Sequence, residues 1–225
     1  MTQELWTAVD HYINGLLIPS DPALEAALAA SREAGLPSIQ VSPPQGKLLH
    51  LLARVRGARQ ILEIGTLGGY STIWLARALP SGGRLLTLEA DAKHAEVARA
   101  NFARAGLTGV IEQRLGPALE TLPQIPRAEP DRFDLIFIDA NKSTMAEYFD
   151  WAVKLSRRGS VIIADNVIRD GAVIDAASKD QDVQGVRRFN ERLSSESRVA
   201  ATEIQTVGSK GYDGFALALV LTDPE

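Results

Sequence analysis

The chain has 225 residues, of which 45% are hydrophobic and 23% charged, and its formal net charge at pH 7 is −4. This composition is typical of a globular protein with a sizeable core, and the acidic balance disfavours nucleic acid as a partner. The apolar runs are too short to span a membrane, and the N-terminal residues lack the apolar core of a signal peptide. Without cysteine there are no disulfides, thiolate chemistry or cysteine zinc sites, so we expect a cytoplasmic protein without a membrane partner.

Two amphipathic segments come first in the chain. The first helix should carry apolar residues on one face, namely Leu5, Val9, Ile13, Leu16 and Leu17. Asp21 followed by Pro22 predicts the start of a second helix, which should run to about Gly35.

A third helix is predicted from Ser42, because Ser42 and Gln45 form a capping box with proline at the first helical position. Gly57 should end this helix. Its expected buried positions are Leu48, Leu49, Leu51, Leu52 and Val55.

From residue 58 onward, short apolar strands alternate with helical segments. The predicted strands are Ile61–Ile64, Leu85–Leu88, Val110–Leu115, Leu135–Ile138 and Val161–Ala164. This alternation predicts an α/β fold with a doubly wound, mostly parallel sheet. We expect a single domain over residues 1–225, with residues 1–57 as a helical cap and residues 58–225 as the ligand-binding core. The polar segment from Val167 to Asp182 is long for a loop and is typical of a lid.

Four polar or glycine-rich features follow the predicted strands. They are the turn Gly65–Ser71, Glu89, Asp139, and the pair Asp165 and Asn166. Ligands of open α/β sheets bind beyond the carboxyl ends of the strands, so we expect all four features at one ligand site.

The turn and Glu89 together indicate an adenosine-bearing ligand. The glycines allow close approach of a ligand, and the helix that follows offers free N–H groups to a carboxylate or phosphate. Glu89 lies one βαβ step further on, where an acid binds ribose hydroxyls. Each feature alone also fits a tight turn or a solvated strand end. Taken together they fit S-adenosylmethionine better than NAD, because the Gly-x-Gly-x-x-Gly pattern of dinucleotide enzymes is missing.

Asp139, Asp165 and Asn166 provide hard oxygen ligands, which favour Mg²⁺, with Mn²⁺ or Ca²⁺ as alternatives, over zinc. The other interpretation of Asp165 and Asn166 is capping of the following segment. Lys142 is either a solvated loop lysine or a base beside a metal-bound hydroxyl.

Several segments carry a resemblance to a known family. They are Ser42–Gly46, Leu62–Thr66, Gly69–Ser71, Phe133–Lys142, and Ala164–Val167 with Gly171 and Val173. From about Ile39 onward the chain resembles the cation-dependent O-methyltransferases, the caffeoyl-CoA and catechol O-methyltransferases and their bacterial relatives.

The resemblance implies a role for each matching residue. The cofactor would be held by Val41, Glu63, Gly65, Thr66, Tyr70, Ser71, Glu89, Ala118 and Asp139. The metal would be held by Asp139, Asp165 and Asn166, and the catalytic residues would be Lys142, as base, and Asp139. It also implies a Rossmann-like, seven-stranded sheet whose last strand is antiparallel, with Val199–Val207 and Phe215–Leu221 as the final pair.

Two positions depart from the family pattern. Pro117 replaces the acid of a Gly-Asp-Ala segment that contacts adenine, which leaves the backbone of Ala118 for that contact. Asn141 stands where the family often has aspartate.

The predicted activity is metal-dependent methyl transfer from S-adenosylmethionine to a hydroxyl of a small catechol-like or phenolic substrate, in a homodimer. The homodimer is expected from the apolar face of the first helix, which includes Trp6. The alternatives are a non-catalytic adenosyl-ligand binding protein and a nicotinamide-dependent oxidoreductase.

Overall fold

The computed structural model describes residues 2–125 and 132–223. Three helices come first: α1 (Gln3–Leu17), α2 (Pro22–Glu33) and α3 (Pro43–Arg56). The core follows with β1 (Gln60–Ile64), α4 (Tyr70–Ala76), β2 (Arg84–Glu89), α5 (Ala92–Arg104), β3 (Ile111–Leu115), α6 (Ala118–Thr121) and β4 (Phe133–Ile138). It ends with α7 (Met145–Leu155), β5 (Ser156–Asp165), α8 (Gln181–Ser195), β6 (Val199–Gly208) and β7 (Gly211–Val220). No helix in the described ranges has the length and apolar character that crossing a bilayer requires.

The strands form one seven-stranded sheet in the order β3-β2-β1-β4-β5-β7-β6. Strands β1 to β5 pair in parallel, whereas β7 runs antiparallel to both β5 and β6. The predicted doubly wound sheet with an antiparallel last strand is therefore confirmed. The order reverses at β1 and β4, and such a switch point opens a crevice at the carboxyl ends of the strands.

The predicted helix starts agree with the observed caps. Asp21 Oδ1 accepts the backbone N–H groups of Ala23 (3.0 Å) and Leu24 (3.1 Å) at the start of α2. Ser42 Oγ accepts the N–H of Gln45 at 3.4 Å at the start of α3, and Gly57 ends α3 with φ 66°. Helix α2 ends at Glu33, slightly before the predicted Gly35.

Of the five expected buried positions of α3, Leu49 is buried, Leu48 and Leu52 are half-buried, and the other two were wrong. Leu51 is 48% exposed and Val55 is 86% exposed, while the buried positions are Gly46, Leu49 and Ala53. Apolar residues surround much of this helix, so the pattern alone could not select one face. The inward face carries Gly46, which packs closely against Trp74. A Cβ at position 46 would lie 2.4 Å from Cδ1 of Trp74, so only glycine fits there.

Asp134 anchors the amino end of β4 opposite the crevice. Its buried carboxylate accepts the backbone N–H groups of Arg59 (2.7 Å) and Gln60 (3.0 Å). The guanidinium groups of Arg56 and Arg157 also contact Asp134. Burial alone would raise the pKa of Asp134, but the hydrogen bond from Arg157 and the two backbone donors hold it below its usual value. At the same end of the sheet, Ser156 pairs with Phe133 of β4, so β5 starts at Ser156, earlier than the predicted Val161.

Candidate active site

A cavity of about 470 Å³ lies at the carboxyl ends of the parallel strands. This volume is within the range typical of small-molecule and cofactor sites. Most of the predicted site residues line the cavity: Val41, Gly65, Thr66, Tyr70, Ser71, Glu89, Ala118, Asp139, Lys142 and Asn166.

The β1–α4 turn lies directly against the end of β4. Gly65 has φ 98°, and a Cβ at this position would lie 2.1 Å from the carbonyl oxygen of Asp139. The N–H of Asp139 also donates to the carbonyl of Ile64 at 2.9 Å. Only glycine allows this approach, which brings the glycine-rich turn and Asp139 to the same wall of the cavity.

Glu89 joins the end of β2 to the glycine-rich turn. Its Oε2 accepts the backbone N–H groups of Thr66 (3.1 Å) and Leu67 (2.8 Å), and its Oε1 accepts the N–H of Asp91 at 2.9 Å. A carboxylate offers about four acceptor positions, so these three bonds leave capacity for a ligand hydroxyl. Glu89 can therefore orient the turn and still contact a sugar in the cavity.

Glu63 lies beneath the cavity and outside its lining. Its side chain is fully buried, and its carboxylate accepts hydrogen bonds from the hydroxyls of Ser71 (2.7 Å), Thr72 and Thr87 (2.7 Å). Burial raises the pKa of Glu63 to about 7, although the three hydroxyl bonds act in the opposite direction. The carboxylate thus holds Ser71 and the start of α4 in place from below.

The Pro117 departure leaves the backbone of the adjacent segment at the cavity. Gly116 and Ala118 both line it, and Ala118 is the first residue of α6. This agrees with the expectation that backbone atoms, rather than a carboxylate, are available at this position.

Two carboxylates and Lys142 lie together at the ends of β4 and β5. Lys142 is buried, and its Nζ lies 3.0 Å from Oδ1 of Asp139. Asp165 is also buried, and its Oδ1 accepts the backbone N–H of Asn166 at 2.9 Å. Burial, and then the charge of Asp139, raise the pKa of Asp165 well above its usual range, while Lys142 acts in the opposite direction.

The donor set here suits a hard divalent cation. Asp139 and Asp165 supply carboxylate oxygens, and the amine of Lys142 contacts Asp139. Asn166, which lines the cavity at φ 60°, adds an amide oxygen to the set. Within residues 2–125 and 132–223, no group of three or more His, Cys, Asp or Glu side chains gathers as a metal cluster. The set is therefore two carboxylates and one amide, which are ligand types that Mg²⁺ accepts.

The backbone of Lys142 is held by the close approach of α8. A Cβ on Gly185 would lie 2.1 Å from the carbonyl oxygen of Lys142 and 2.6 Å from Cα of Ser143. Nη2 of Arg188 also donates to the carbonyl of Ser143 at 2.7 Å. Glycine at position 185 is thus required for α8 to pack against the segment that carries Lys142.

Replacing Gly185 by alanine should displace Lys142 and lower kcat by about 10-fold or more, since small misplacements of catalytic groups are costly. The change is measured by steady-state kinetics together with thermal unfolding. Gly15→Ala is the matched helical control, because a Cβ at Gly15 meets nothing within 4 Å. Equal kcat values for both variants would show that the close packing of Gly185 does not position Lys142.

Several cavity residues were missed from the sequence: Leu28, Ser31, His94, Tyr148, Arg169 and Asp182. His94 lies in the first turn of α5, and its Nδ1 is 3.7 Å from Oε1 of Glu89 at the end of β2. Arg169 and Asp182 border the cavity from the segment predicted as a lid. Part of that segment is a 3-10 helix, Arg169–Ile174. Nη1 of Arg187, on α8, donates a hydrogen bond of 2.6 Å to the carbonyl of Val173 in this 3-10 helix.

Comparisons with known proteins identify the family of the chain. A family model for O-methyltransferases matches residues 20–220. The chain is 55% identical to the catechol O-methyltransferase of Niastella koreensis, over 98% of this chain and 100% of that protein. The crystal structure of the Bacillus cereus O-methyltransferase in complex with SAH superposes with a TM-score of 0.96, at 58% identity, covering 97% and 100% of the two chains. The crystal structure of the O-methyltransferase TomG from Streptomyces achromogenes in complex with SAM gives a TM-score of 0.95 at 56% identity. This match covers 98% of the present chain and 99% of the TomG chain.

These likenesses extend over nearly the whole chain, and the family match includes every residue of the cavity. They decide against the nicotinamide oxidoreductase and the non-catalytic binding protein considered above. The chain therefore belongs to the O-methyltransferase family and is an S-adenosylmethionine-dependent O-methyltransferase.

Proposed function

We propose that the chain methylates one hydroxyl of a small catechol-like acceptor, and that this reaction requires a divalent cation bound by Asp139, Asp165 and Asn166. The observation that carries the proposal is that Asp139, Lys142 and Asn166 line the cavity of the glycine-rich turn. The carboxylate of Asp165, which is buried and lies outside the cavity lining, is close enough to Asp139 and Lys142 to feel their charges. The names of relatives such as the catechol O-methyltransferase of Niastella koreensis support the same acceptor class.

The cofactor half of the cavity holds the methyl donor. S-adenosylmethionine supplies an electrophilic methyl group on its sulfonium. The turn from Gly65 to Ser71 and the side chain of Glu89 would orient the donor, with Val41 and Ala118 completing the wall. Orienting the two reactants in one cavity removes much of the entropic part of the barrier.

The other half of the cavity would bind the acceptor and remove its proton. A bound divalent cation lowers the pKa of a coordinated hydroxyl and favours its ionised form. Lys142, in its neutral form, would accept the hydroxyl proton at Nζ. Asp139 orients that nitrogen through the contact of 3.0 Å.

Replacing Glu89 by alanine should weaken binding of S-adenosylhomocysteine by about 1–3 kcal/mol, because polar groups of the turn and of the ribose lose their acceptor. Isothermal titration calorimetry measures the change. Glu96→Ala on the exposed side of α5 is the control and should bind as the parent does. An unchanged affinity for Glu89→Ala would remove Glu89 from the cofactor site.

A panel of methyl acceptors tests the proposed reaction. With purified protein, S-adenosylmethionine and Mg²⁺, catechol should be methylated, whereas phenol should react poorly because it lacks the second chelating oxygen. Equal rates for phenol and catechol would contradict a chelated acceptor. Absence of turnover with every vicinal diol in the panel would contradict the acceptor class.

The exposed side of α1 supports the proposed homodimer. Gln3 and Asp10 bind the β6–β7 turn through contacts to Gly208 (2.8 Å) and Ser209 (2.7 Å), so α1 lies against the end of the sheet. The apolar residues predicted to share a face remain largely accessible, with Leu16 65% and Leu17 66% exposed. A second copy of the chain would cover this surface.

Light scattering at micromolar concentration should therefore give about twice the monomer mass of 24.3 kDa. The double substitution of Leu16 and Leu17 by glutamate should shift the protein to the monomer, because charged residues would then face the interface. A parent protein of monomer mass would contradict the proposed dimer.

A further inference from the structure

Arg169 stands on the wall of the cavity three residues after Asn166. It lines the same space as Asp139, Lys142 and Asn166, although the proposed chemistry assigns it no role. Its backbone lies at φ 55°, and Asp170 follows at φ 54°. Left-handed conformations of residues other than glycine are costly and persist where the surroundings impose them.

Asp213 of β7 imposes this backbone conformation. Its Oδ1 accepts the backbone N–H groups of Ile168 and Arg169, each at 3.0 Å. The N–H of Gly171 then closes a turn on the carbonyl of Ile168 at 3.1 Å. Arg169 therefore leaves the chain at a position fixed by the sheet.

The guanidinium of Arg169 has weak support from the protein itself. Nη2 lies 3.6 Å from Oδ2 of Asp182, beyond hydrogen-bond distance, and the Asp182 side chain is 44% exposed. Nε is buried, and it finds no hydrogen-bond acceptor among the residues that the structure describes. Burying a donor without an acceptor is unfavourable, so a ligand acceptor at this place would stabilise the arrangement.

Arg169 lies away from the part of the cavity that we assign to the cofactor. The glycine-rich turn and Glu89 belong to β1 and β2, whereas Arg169 follows β5, on the other side of β4 in the sheet order. Arg169 therefore lines the side of the cavity that we assign to the methyl acceptor. A guanidinium presents several N–H donors in a planar fork that matches a carboxylate.

We propose that Arg169 binds a carboxylate carried by the methyl acceptor, so that the preferred substrates are catechols with an anionic carboxyl substituent. This inference rests on the proposed methyl transfer to catechols and adds the charge of the substrate. A catechol with an ammonium substituent would be repelled by Arg169 and disfavoured.

The test compares three acceptors with the full chain, S-adenosylmethionine and Mg²⁺: 3,4-dihydroxybenzoate, 3,4-dihydroxybenzamide and 3,4-dihydroxybenzylamine. The acid and the amide are similar in shape and differ in charge. We expect kcat/KM for the acid to exceed that for the amide by about 10-fold or more, mainly through KM, and the amine to be the poorest substrate.

Arg169→Gln should bring the ratio of acid to amide close to one by raising KM for the acid. Arg169→Lys keeps the charge but loses the fork, and should give an intermediate ratio. Asp182→Asn is the matched control, and it should retain the preference for the acid because Asp182 does not contact the substrate in this proposal. If Arg169 instead serves only to pair with Asp182, Asp182→Asn and Arg169→Gln should change the kinetics of all three substrates alike.

Equal kcat/KM values for the acid and the amide with the parent chain would overturn the role of Arg169, whatever the variants do. The proposed methyl transfer would survive that result, since both compounds would be methylated. Turnover of none of the three would instead refute the catechol reaction, and with it this inference.

Discussion

Replacing Asp165 by alanine should abolish methyl transfer while leaving S-adenosylhomocysteine binding nearly unchanged. Asp165 lies at the end of β5, where burial, and then the charge of Asp139, raise the pKa of its carboxyl group. Removing it leaves one carboxylate and one amide oxygen, too few to hold a divalent cation that prefers about six oxygen ligands. The cofactor contacts proposed for β1 and β2 do not involve Asp165.

Two measurements separate these effects. Single-turnover kinetics with catechol should show no methylated product for Asp165→Ala, and calorimetry should show a cofactor affinity close to that of the parent. Asp175→Ala in the segment that follows β5 is the control, because among the described residues the exposed side chain of Asp175 accepts just the backbone N–H of Ala177, at 2.9 Å. Retained turnover in Asp165→Ala would return Asp165 and Asn166 to a capping role.

Replacing Lys142 by methionine should lower kcat by about 10²–10⁴-fold, the usual contribution of a general base. Methionine preserves much of the length and packing of this buried side chain but cannot accept a proton. Lys154→Met on the exposed side of α7 is the control for the loss of a lysine charge and should leave kcat unchanged.

Lys142→Arg distinguishes proton transfer from simple charge pairing. Arginine preserves a positive charge near Asp139, but it does not lose its proton in proteins and cannot act as a base. The arginine variant should therefore be as impaired as the methionine variant. Recovery of kcat in Lys142→Arg would show that Lys142 acts through its charge.

The strands and the edge where the site lies could be predicted from the sequence because both depend on local patterns. Short apolar runs such as Leu135–Ile138 are buried on both faces of a parallel sheet, and polar residues follow where each strand ends. The cavity brings together the turn at Gly65, Glu89 and Asp139 at that edge.

Burial could not be predicted where apolar residues surround a helix. In α3, Leu51 and Val55 fit a helical core pattern as well as Leu49 does, and only the contact of Gly46 with Trp74 selects the inward face. The position of Glu63 escaped prediction for a related reason. The sequence shows an acid in the first strand, but its three hydroxyl donors come from α4 and β2.

Arg169 was missed because its position depends on long-range backbone contacts. The left-handed conformation at Arg169 follows from the hydrogen bonds to Asp213, 44 residues later in the chain. No periodicity or short motif encodes such a contact. Gly185 is similar, since its closeness to Lys142 exists only after α8 has packed.

The most direct test of metal dependence is methylation of catechol by protein that has been stripped of metal. Turnover should be absent in excess EDTA and should return when Mg²⁺ or Mn²⁺ is added beyond the chelator, since both accept oxygen ligands. S-adenosylhomocysteine binding, measured under the same two conditions, should change little. Full methylation of catechol in excess EDTA would contradict the metal-dependent mechanism and leave a methyltransferase that works through Lys142 or another base alone.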